Sequence, residues 1–377
     1  MSFPVDVNPA VLRWARESAG YGLPEVAERC NVSEHKLQAW ESGKPRPTWP
    51  DLCRLAKLYK RPVTSLLLAS PPDEVPPPAD YRTLPEAKRR LSPTTRFAIR
   101  TARWLARTAR LLEQQLGMEQ RFQVPKARPT SDPEEIAQTS RQRMGVTIEE
   151  QIGWNSFQVA LRRWRAAVEA ENIFVFQIQM PLEEVRGFSL VEEESRVIVL
   201  NQADAVSARI FTLFHEYAHL LAAHPGVCIP EEGVPGLSQK VETFCNRFAA
   251  AFLVPRVALE PEMQQGASDD AINRLSGHYR VSRYVILGRM RALGAISQQE
   301  YQEITLRWQA RAVYAPTAAP RRKGGPSRVA RCLSQRGRLF ASVVIEAAKR
   351  EHIAANEATT FLGIRVNDLP RLESKVR

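Results

Sequence analysis

Apolar residues recur every three or four positions along the first part of the chain, which is the spacing of one face of an α-helix. Val11, Leu12 and Ala15 mark the first helix, and Ser33 is a good N-terminal cap for the third. Short turns separate the segments. We predict helices over 9–19, 24–30, 33–42, 51–59 and 62–68, so residues 1–69 are expected to form a five-helix domain.

A proline-rich stretch follows, and residues 70–91 are predicted to be a semi-rigid linker. Residues 92–140 are expected to be a basic helical connector, beginning with a long helix over 92–116. Arginines recur along this helix and form an arginine stripe: Arg96, Arg100, Arg103, Arg107 and Arg110. The stripe is equally consistent with an additional contact to DNA and with a solvated helix face.

The period of the apolar pattern changes from that of helices to that of strands after further helices at 132–144 and 148–170. Strands are predicted at 173–180, 187–191 and 196–200, and helices at 203–223, 236–253, 269–279, 282–293 and 298–312. Residues 313–377 read as a basic loop and a small helical region, with helices at 341–349 and 356–362. The predicted fold is mainly α with a small β-sheet (α+β), and residues 141–312 form its second domain.

The composition indicates which kind of partner the protein binds and in which cellular compartment it is expected. Hydrophobic residues make up 44% of the chain and charged residues 25%, as in ordinary globular proteins, but the net charge of +12 favours an anionic partner such as nucleic acid. The sequence contains neither a secretory signal pattern nor an apolar run long enough to span a membrane. Its five cysteines are scattered, as in proteins of a reducing compartment. We therefore expect a cytoplasmic protein without a membrane partner.

Candidate chemistry centres on the run His215-Glu-Tyr-Ala-His219. Residues four apart lie on the same face of a helix, so both imidazoles can point at a single metal ion. Glu216 lies beside the first histidine, where its carboxylate can act as a general base toward water. The alternative is a packed helix that carries these polar residues incidentally.

A catalytic zinc usually has three protein ligands, so a third must come from elsewhere. Glu242 is the candidate, because it lies on an otherwise apolar helix and buried carboxylates are costly unless they are paired or bound to metal. Asn246, four residues later, is expected to support a ligand. His224 competes for the third position but follows the expected helix end, and His278 is expected on a helix surface.

These segments resemble the ImmA/IrrE metallopeptidases. The resemblance rests on His215–His219, on the run from Glu242 to Pro255 and on the helical pair from Tyr279 to Gly294, and it covers roughly residues 140–365. It implies a zincin-like, gluzincin-like domain with one Zn²⁺ held by His215, His219 and Glu242, and with Glu216 as general base. It also implies specific cleavage of a repressor, or of a protein encoded next door as in toxin–antitoxin systems.

The N-terminal helices are similar to the Xre/Cro-type helix-turn-helix family through Glu25–Ala27, Cys30–Ser33 and Trp40–Gly43. Pro24 departs from that pattern, because relatives usually have a phosphate-contacting glutamine there. The third helix would enter the major groove of DNA. The residues expected to contact bases or phosphates are Ser33, Glu34, His35, Lys36, Gln38, Lys44 and Arg46. A domain used only for protein contacts or dimerisation is the alternative.

The leading hypothesis is a cytoplasmic regulator that binds double-stranded operator DNA and contains a zinc-dependent endopeptidase. Its protein substrate would be a specific repressor or a neighbouring gene's product, and a homodimer is one option for its assembly. The alternative is a non-proteolytic regulator, or an antitoxin-like partner, in which the metallopeptidase fold acts as a sensor or a protein-binding module.

Overall fold

A computed structural model describes residues 3–74, 91–118, 127–192, 195–222, 235–264, 266–313 and 325–376. The chain divides into two compact units, one of residues 1–79 and 83–101 and the other of residues 80–82 and 102–377. Most of the predicted linker, the residue His224 and the predicted basic loop lie outside the described residues. None of the described helices is both long and apolar enough to cross a membrane.

The first unit is built from short, well-capped helices. The Asn8 side chain accepts a hydrogen bond from Ala10 N at 2.9 Å, and Ser33 accepts one from Lys36 N at 3.2 Å, so both satisfy backbone donors at helix starts. The fifth predicted helix is a 3₁₀-helix. The elements are α1 Pro9–Ala19, α2 Leu23–Cys30, α3 Glu34–Trp40, α4 Trp49–Tyr59 and the 3₁₀-helix Val63–Leu67; α5, Pro93–Gln115, begins in this unit and ends in the second.

A buried ion pair ties α1 to the end of α3 in this unit. Arg16 donates to Glu41 through Nε to Oε1 at 2.7 Å and through Nη2 to Oε2 at 2.8 Å, and both side chains are buried. Such bidentate pairs hold their geometry well. The apolar core of this unit includes Leu12, Leu37 and Leu52.

The second unit contains thirteen further described helices and a three-stranded sheet. The predicted helix over 148–170 is wrong in one respect: Gly153 ends one helix, and the Ser156 hydroxyl caps the next by accepting from Val159 N at 3.3 Å. Serine competes with the helical backbone and therefore favours a new start over continuation. The elements are α6 Pro133–Met144, α7 Ile148–Ile152, α8 Phe157–Glu169, β1 Ile173–Ile178, β2 Gly187–Glu192, β3 Ser195–Asn201, α9 Val206–Ala222, α10 Pro235–Leu253, α11 Arg256–Met263, α12 Asp269–Tyr279, α13 Arg283–Ala292, α14 Gln298–Val313, α15 Arg328–Arg336, α16 Arg338–Lys349, α17 Ala355–Leu362, a 3₁₀ turn Val366–Asp368 and α18 Leu369–Val376.

The sheet has the strand order β1-β3-β2, with β1 parallel and β2 antiparallel to β3. Because side chains alternate along a strand, Val175 and Ile198 face the core that contains α9, whereas Phe174 and Phe176 face the other way. On that other side they pack edge-on against Phe340 of α16. Helices therefore cover both faces of the sheet, and the predicted fold, mainly α with a small sheet, is confirmed.

The C-terminal helices are joined to this core by a buried carboxylate. Glu169 accepts hydrogen bonds from the first two backbone N–H groups of α16, Arg338 at 3.0 Å and Leu339 at 3.2 Å. Gly337 precedes them with φ +84°, and a Cβ there would lie 2.2 Å from Glu169 Oε1. Only glycine allows this approach.

Candidate metal centre and DNA-binding face

Helix α9 carries the two histidines on one face, packed against the sheet. His215 is fully buried and His219 is largely buried. Their Nε2 atoms lie 3.2 Å apart, because residues four positions apart on a helix are stacked one turn above the other. Both donor atoms therefore point toward the same small volume.

Helix α10 runs beside α9 and brings Glu242 to the histidines. One carboxylate oxygen, Oε2, lies 3.4 Å from His215 Nε2, and the other, Oε1, lies 3.2 Å from His219 Nε2. The three residues form a group in which one ligand atom from each lies within 4.8 Å of the others. The structure thus brings together the three residues proposed as ligands from the sequence.

The donor set fits a metal ion. Ligands of a tetrahedral zinc at about 2.0–2.1 Å lie about 3.3 Å from one another, close to the spacings observed between these nitrogens and oxygens. Glu242 Oε1 is buried and has no hydrogen-bond partner among the described residues, which coordination of a metal ion would explain. Two imidazoles and one carboxylate are the protein ligands of many catalytic zinc sites.

The ionisation of Glu242 also suits a ligand. Its burial opposes charge, but the imidazoles of His215 and His219 outweigh that effect and lower its pKa to about 2. Burial likewise disfavours a charged His219, yet its contacts with the Cys245 thiol and Glu242 raise its pKa well above the usual range, so binding of a metal ion there would release that proton. The carboxylate is therefore ionised at neutral pH, the form that binds cations.

Two residues close to Glu242 on α10, Asn246 and Cys245, contact the histidines. His215 Nδ1 lies 3.1 Å from Asn246 Oδ1, and because an amide oxygen only accepts, Nδ1 carries the proton and Nε2 is left with its lone pair. Cys245 is buried beside His219, and this burial raises the pKa of its thiol. A turn of α10 thus contacts both histidines in addition to supplying Glu242.

Glu216 is held by the edge strand β2. It is buried, and its Oε2 accepts a hydrogen bond from Ser189 Oγ at 3.0 Å. The close approach of strand and helix depends on Gly187, since a Cβ at that position would lie 2.4 Å from Thr212 Cγ2 and 2.8 Å from Val199 O. The carboxylate is therefore fixed beside the histidines by both helix and strand.

His278, the other histidine candidate that the structure describes, is not part of this group. His278 lies in the last turn of α12, half-buried, with its ring 5.0 Å from that of Tyr279. Among the described residues, the cluster of metal-ligating side chains consists of His215, His219 and Glu242 and does not include His278.

In the first unit, the seven residues predicted to contact DNA are all exposed. Glu34, His35 and Gln38 lie along α3, and the Ser33 hydroxyl caps this helix. Lys36 lies over the Trp40 ring with its Nζ 5.2 Å from the ring centroid, and Arg46 pairs with Asp6 at 3.2 Å. Lys44 is exposed in the turn that follows α3.

The arginine stripe of α5 contacts protein groups along most of its length. Arg96 and Arg100 donate to backbone carbonyls of Glu17, Tyr59 and Lys60. Within the second unit, Arg103 and Arg107 pair with Glu192 at 3.5 Å and 2.6 Å. These four arginines therefore have structural partners, which a sequence period cannot reveal.

Ser189 and Cys245 were not among the site residues predicted from the sequence. Cys245 lies three residues after Glu242, one turn along the same helix, so helical spacing could have placed it at the site. Ser189 had no such signal, because its contact with Glu216 depends on how β2 packs against α9.

Comparison with known proteins gives two family matches. Residues 168–291 match a peptidase family whose model is described as an IrrE N-terminal-like domain, and the match contains all three candidate ligands and Glu216. Residues 10–67 match the family described as a helix-turn-helix domain. No curated protein matches the chain.

Proposed function

Because the chain combines a helix-turn-helix domain with an IrrE N-terminal-like domain of metallopeptidase-like fold, we propose that it is a cytoplasmic DNA-binding regulator whose second domain is a zinc-dependent endopeptidase. The substrate is a specific repressor or partner protein. In this proposal residues 1–69 bind operator DNA, 70–91 are a linker, 92–140 a connector, 141–312 the peptidase and 313–377 a C-terminal region.

One observation carries the peptidase proposal. His215, His219 and Glu242 converge within metal-binding distance, and the buried carboxylate of Glu216 lies in the same helix beside the first of them. A structural zinc site would usually have four protein ligands, whereas a site with three leaves a position open for water or substrate.

A zinc ion held by His215, His219 and Glu242 would supply Lewis-acid chemistry, polarising the scissile carbonyl and lowering the pKa of water. Glu216 accepts the proton of the attacking water and transfers it to the leaving amine. The hydrogen bond from Ser189 orients one carboxylate oxygen of Glu216 and leaves the other free for this transfer. Asn246 keeps His215 in the tautomer that presents Nε2.

Glu216→Gln tests the catalytic role. We expect the variant to bind zinc as the wild type does, because Glu216 is not one of the ligands, but to lose proteolysis. Wild type and variant are expressed in matched cells, and new protein N-termini are compared by mass spectrometry. His215→Ala and Glu242→Ala should each lose zinc in metal analysis of the purified protein.

The same comparison of N-termini distinguishes the endopeptidase from the non-proteolytic alternative. N-termini that appear only with the wild type support the endopeptidase. If wild type and Glu216→Gln both contain zinc and yield identical N-termini, the domain is a sensor or protein-binding module and the proposed catalysis is wrong.

DNA binding is tested separately with the full-length protein and a duplex selected from a random library. His35→Ala and Gln38→Ala should reduce discrimination between the selected duplex and a scrambled one, because base contacts carry specificity. Lys44→Ala should weaken binding to both duplexes. Lys57→Ala, which removes the same charge from an exposed position on α4, is the control. Equal binding by all four variants and the wild type would contradict the assignment of this face.

A further inference from the structure

A cavity of about 1400 Å³ lies in the second unit between α9, α10 and α13. Its wall includes Asn246 and Phe211, the residues that contact His215 from α10 and from the preceding turn of α9. The volume exceeds the roughly 300–1,000 Å³ of ordinary small-molecule sites, so the cavity has room for a peptide segment. The cavity therefore lies next to the residues that contact His215, although none of the three candidate ligands lines it.

Positively charged side chains outnumber carboxylates in the lining of this cavity. Arg247 of α10 and Arg283 and Arg291 of α13 line it and are exposed, and we call the space the arginine cavity after these three residues. None of the three forms an ion pair with a carboxylate within the part of the chain that the structure describes. Two of them are nevertheless held in place, since Arg283 lies over the Trp308 ring at 4.7 Å and Arg291 over the Tyr301 ring at 4.4 Å.

The carboxylates of the cavity are already engaged. Glu134 accepts two hydrogen bonds from Arg289, and Asp204 pairs with Arg186 at 3.0 Å. Asp132 caps α6 by accepting from Glu134 N at 3.0 Å. The lining therefore holds three arginines and one carboxylate, Asp132, that form no ion pair among the described residues. The excess of positive charge would be balanced by an acidic ligand.

Helix α13, which forms one wall of the cavity, begins in the same way as α3. Arg280 has φ +55° and Ser282 caps α13, just as Asn31 has φ +54° and Ser33 caps α3. The exposed face of α13, however, lines an open cavity beside α9 and α10. Because it is flanked by these two helices, this face suits a single peptide segment better than a nucleic-acid duplex.

We propose that the arginine cavity binds an acidic segment of the protein substrate, whose carboxylates pair with Arg247, Arg283 and Arg291 while a neighbouring peptide bond lies at the metal centre. This inference rests on the proposed endopeptidase function and specifies its substrate class. It predicts that acidic residues close to the cleavage site increase affinity.

The test measures binding without cleavage. Full-length, zinc-loaded Glu216→Gln protein is titrated against a short fluorescein-labelled peptide with glutamates on both sides of a central Leu-Leu pair, and fluorescence anisotropy is recorded. The same peptide with glutamines in place of glutamates is the neutral probe. We expect the acidic peptide to bind about tenfold more tightly, a difference that shrinks at high salt.

The cavity is then altered by combining Arg247→Gln, Arg283→Gln and Arg291→Gln, which removes charge and keeps side-chain length. We expect this variant to bind both peptides equally. The control combines Arg162→Gln and Arg163→Gln, two exposed arginines of α8 outside the cavity, and should keep the preference. Circular dichroism checks that each variant is folded.

Three results would overturn the inference. The first is equal binding of the two peptides, and the second is a preference for the acidic peptide that survives in the triple variant. The third is a triple variant with reduced affinity for a duplex oligonucleotide and unchanged affinity for both peptides. A separate incubation of the zinc-loaded wild type with the acidic peptide reports cleavage. Binding by Glu216→Gln without cleavage by the wild type would count against the endopeptidase and leave the cavity assignment standing.

Discussion

Gly187→Ala tests whether the contact between β2 and α9 positions the metal centre. The added methyl would lie 2.4 Å from Thr212 Cγ2 and 2.8 Å from the Val199 carbonyl oxygen. Because non-bonded carbons pack at about 3.5 Å, strand and helix must separate locally by about 1 Å. Thr212 lies one turn before His215 and Glu216, so this displacement reaches the site.

The expected loss has two parts. Overpacking should lower the free energy of unfolding by about 1–3 kcal/mol. Zinc affinity should fall by roughly ten- to a hundredfold, as when residues that orient metal ligands are disturbed. The first is measured by thermal unfolding followed by circular dichroism and the second by competition with a chromophoric zinc chelator.

Two further variants define the cause. Gly277→Ala makes the same change on α12, where no atom lies near the new methyl, and should stabilise the helix by about 0.5–1 kcal/mol without affecting zinc. Thr212→Ser removes the clashing Cγ2 and should partly restore zinc affinity to Gly187→Ala, while the Val199 contact remains. If Gly187→Ala keeps the wild-type Tm and zinc affinity, the strand–helix contact does not position the site.

Three further predictions concern buried polar side chains. Glu113 is fully buried, neither of its carboxylate oxygens has a hydrogen-bond partner among the described residues, and burial raises its pKa to about 7 although Arg110 opposes the shift. Because the folded state binds this proton more tightly than the unfolded state, the protein should lose about 2.5 kcal/mol of stability between pH 5 and pH 8 in urea titrations. Glu113→Met should abolish that dependence, whereas Gln114→Met at the exposed neighbouring position should retain it. Arg16→Met, measured in the same way, should cost about 3–5 kcal/mol by leaving Glu41 buried without its partner, and a change below 1 kcal/mol would contradict a buried pair. Chelation of zinc by EDTA should lower the wild-type Tm and leave that of His219→Ala unchanged, since only the wild type has an intact site to empty; equal shifts in both proteins would argue against the site.

Much of the fold could be predicted from local pattern. Helical spacing located α9 and α10, because packing of helix faces imposes a period that is visible in the sequence. Short, nearly continuous apolar runs located β1 and β3, whose side chains are buried on both faces of the sheet. The break between α7 and α8 escaped that reasoning. There the apolar period continues past Gly153, and the capping hydroxyl of Ser156 decides where the second helix starts.

Other features depended on partners far away in sequence. The arginine stripe of α5 looked like a basic face, yet Arg107 pairs with Glu192, which lies on a strand edge that periodicity cannot match to a helix. Similarly, the C-terminal helices had no predicted place, whereas Phe340 and Glu169 show that they cover one face of the sheet.

The sequence by itself determined the chemistry available to this protein. His215, Glu216 and His219 follow from spacing within one helix, and Glu242 was recognisable as a carboxylate on an apolar helix, because both depend on local geometry. Only the tertiary structure decided how these groups meet: it places Glu242 against both histidines, Ser189 against Glu216, and three arginines in one cavity. Those contacts join segments distant in sequence, and packing between helices and strands is what sets them.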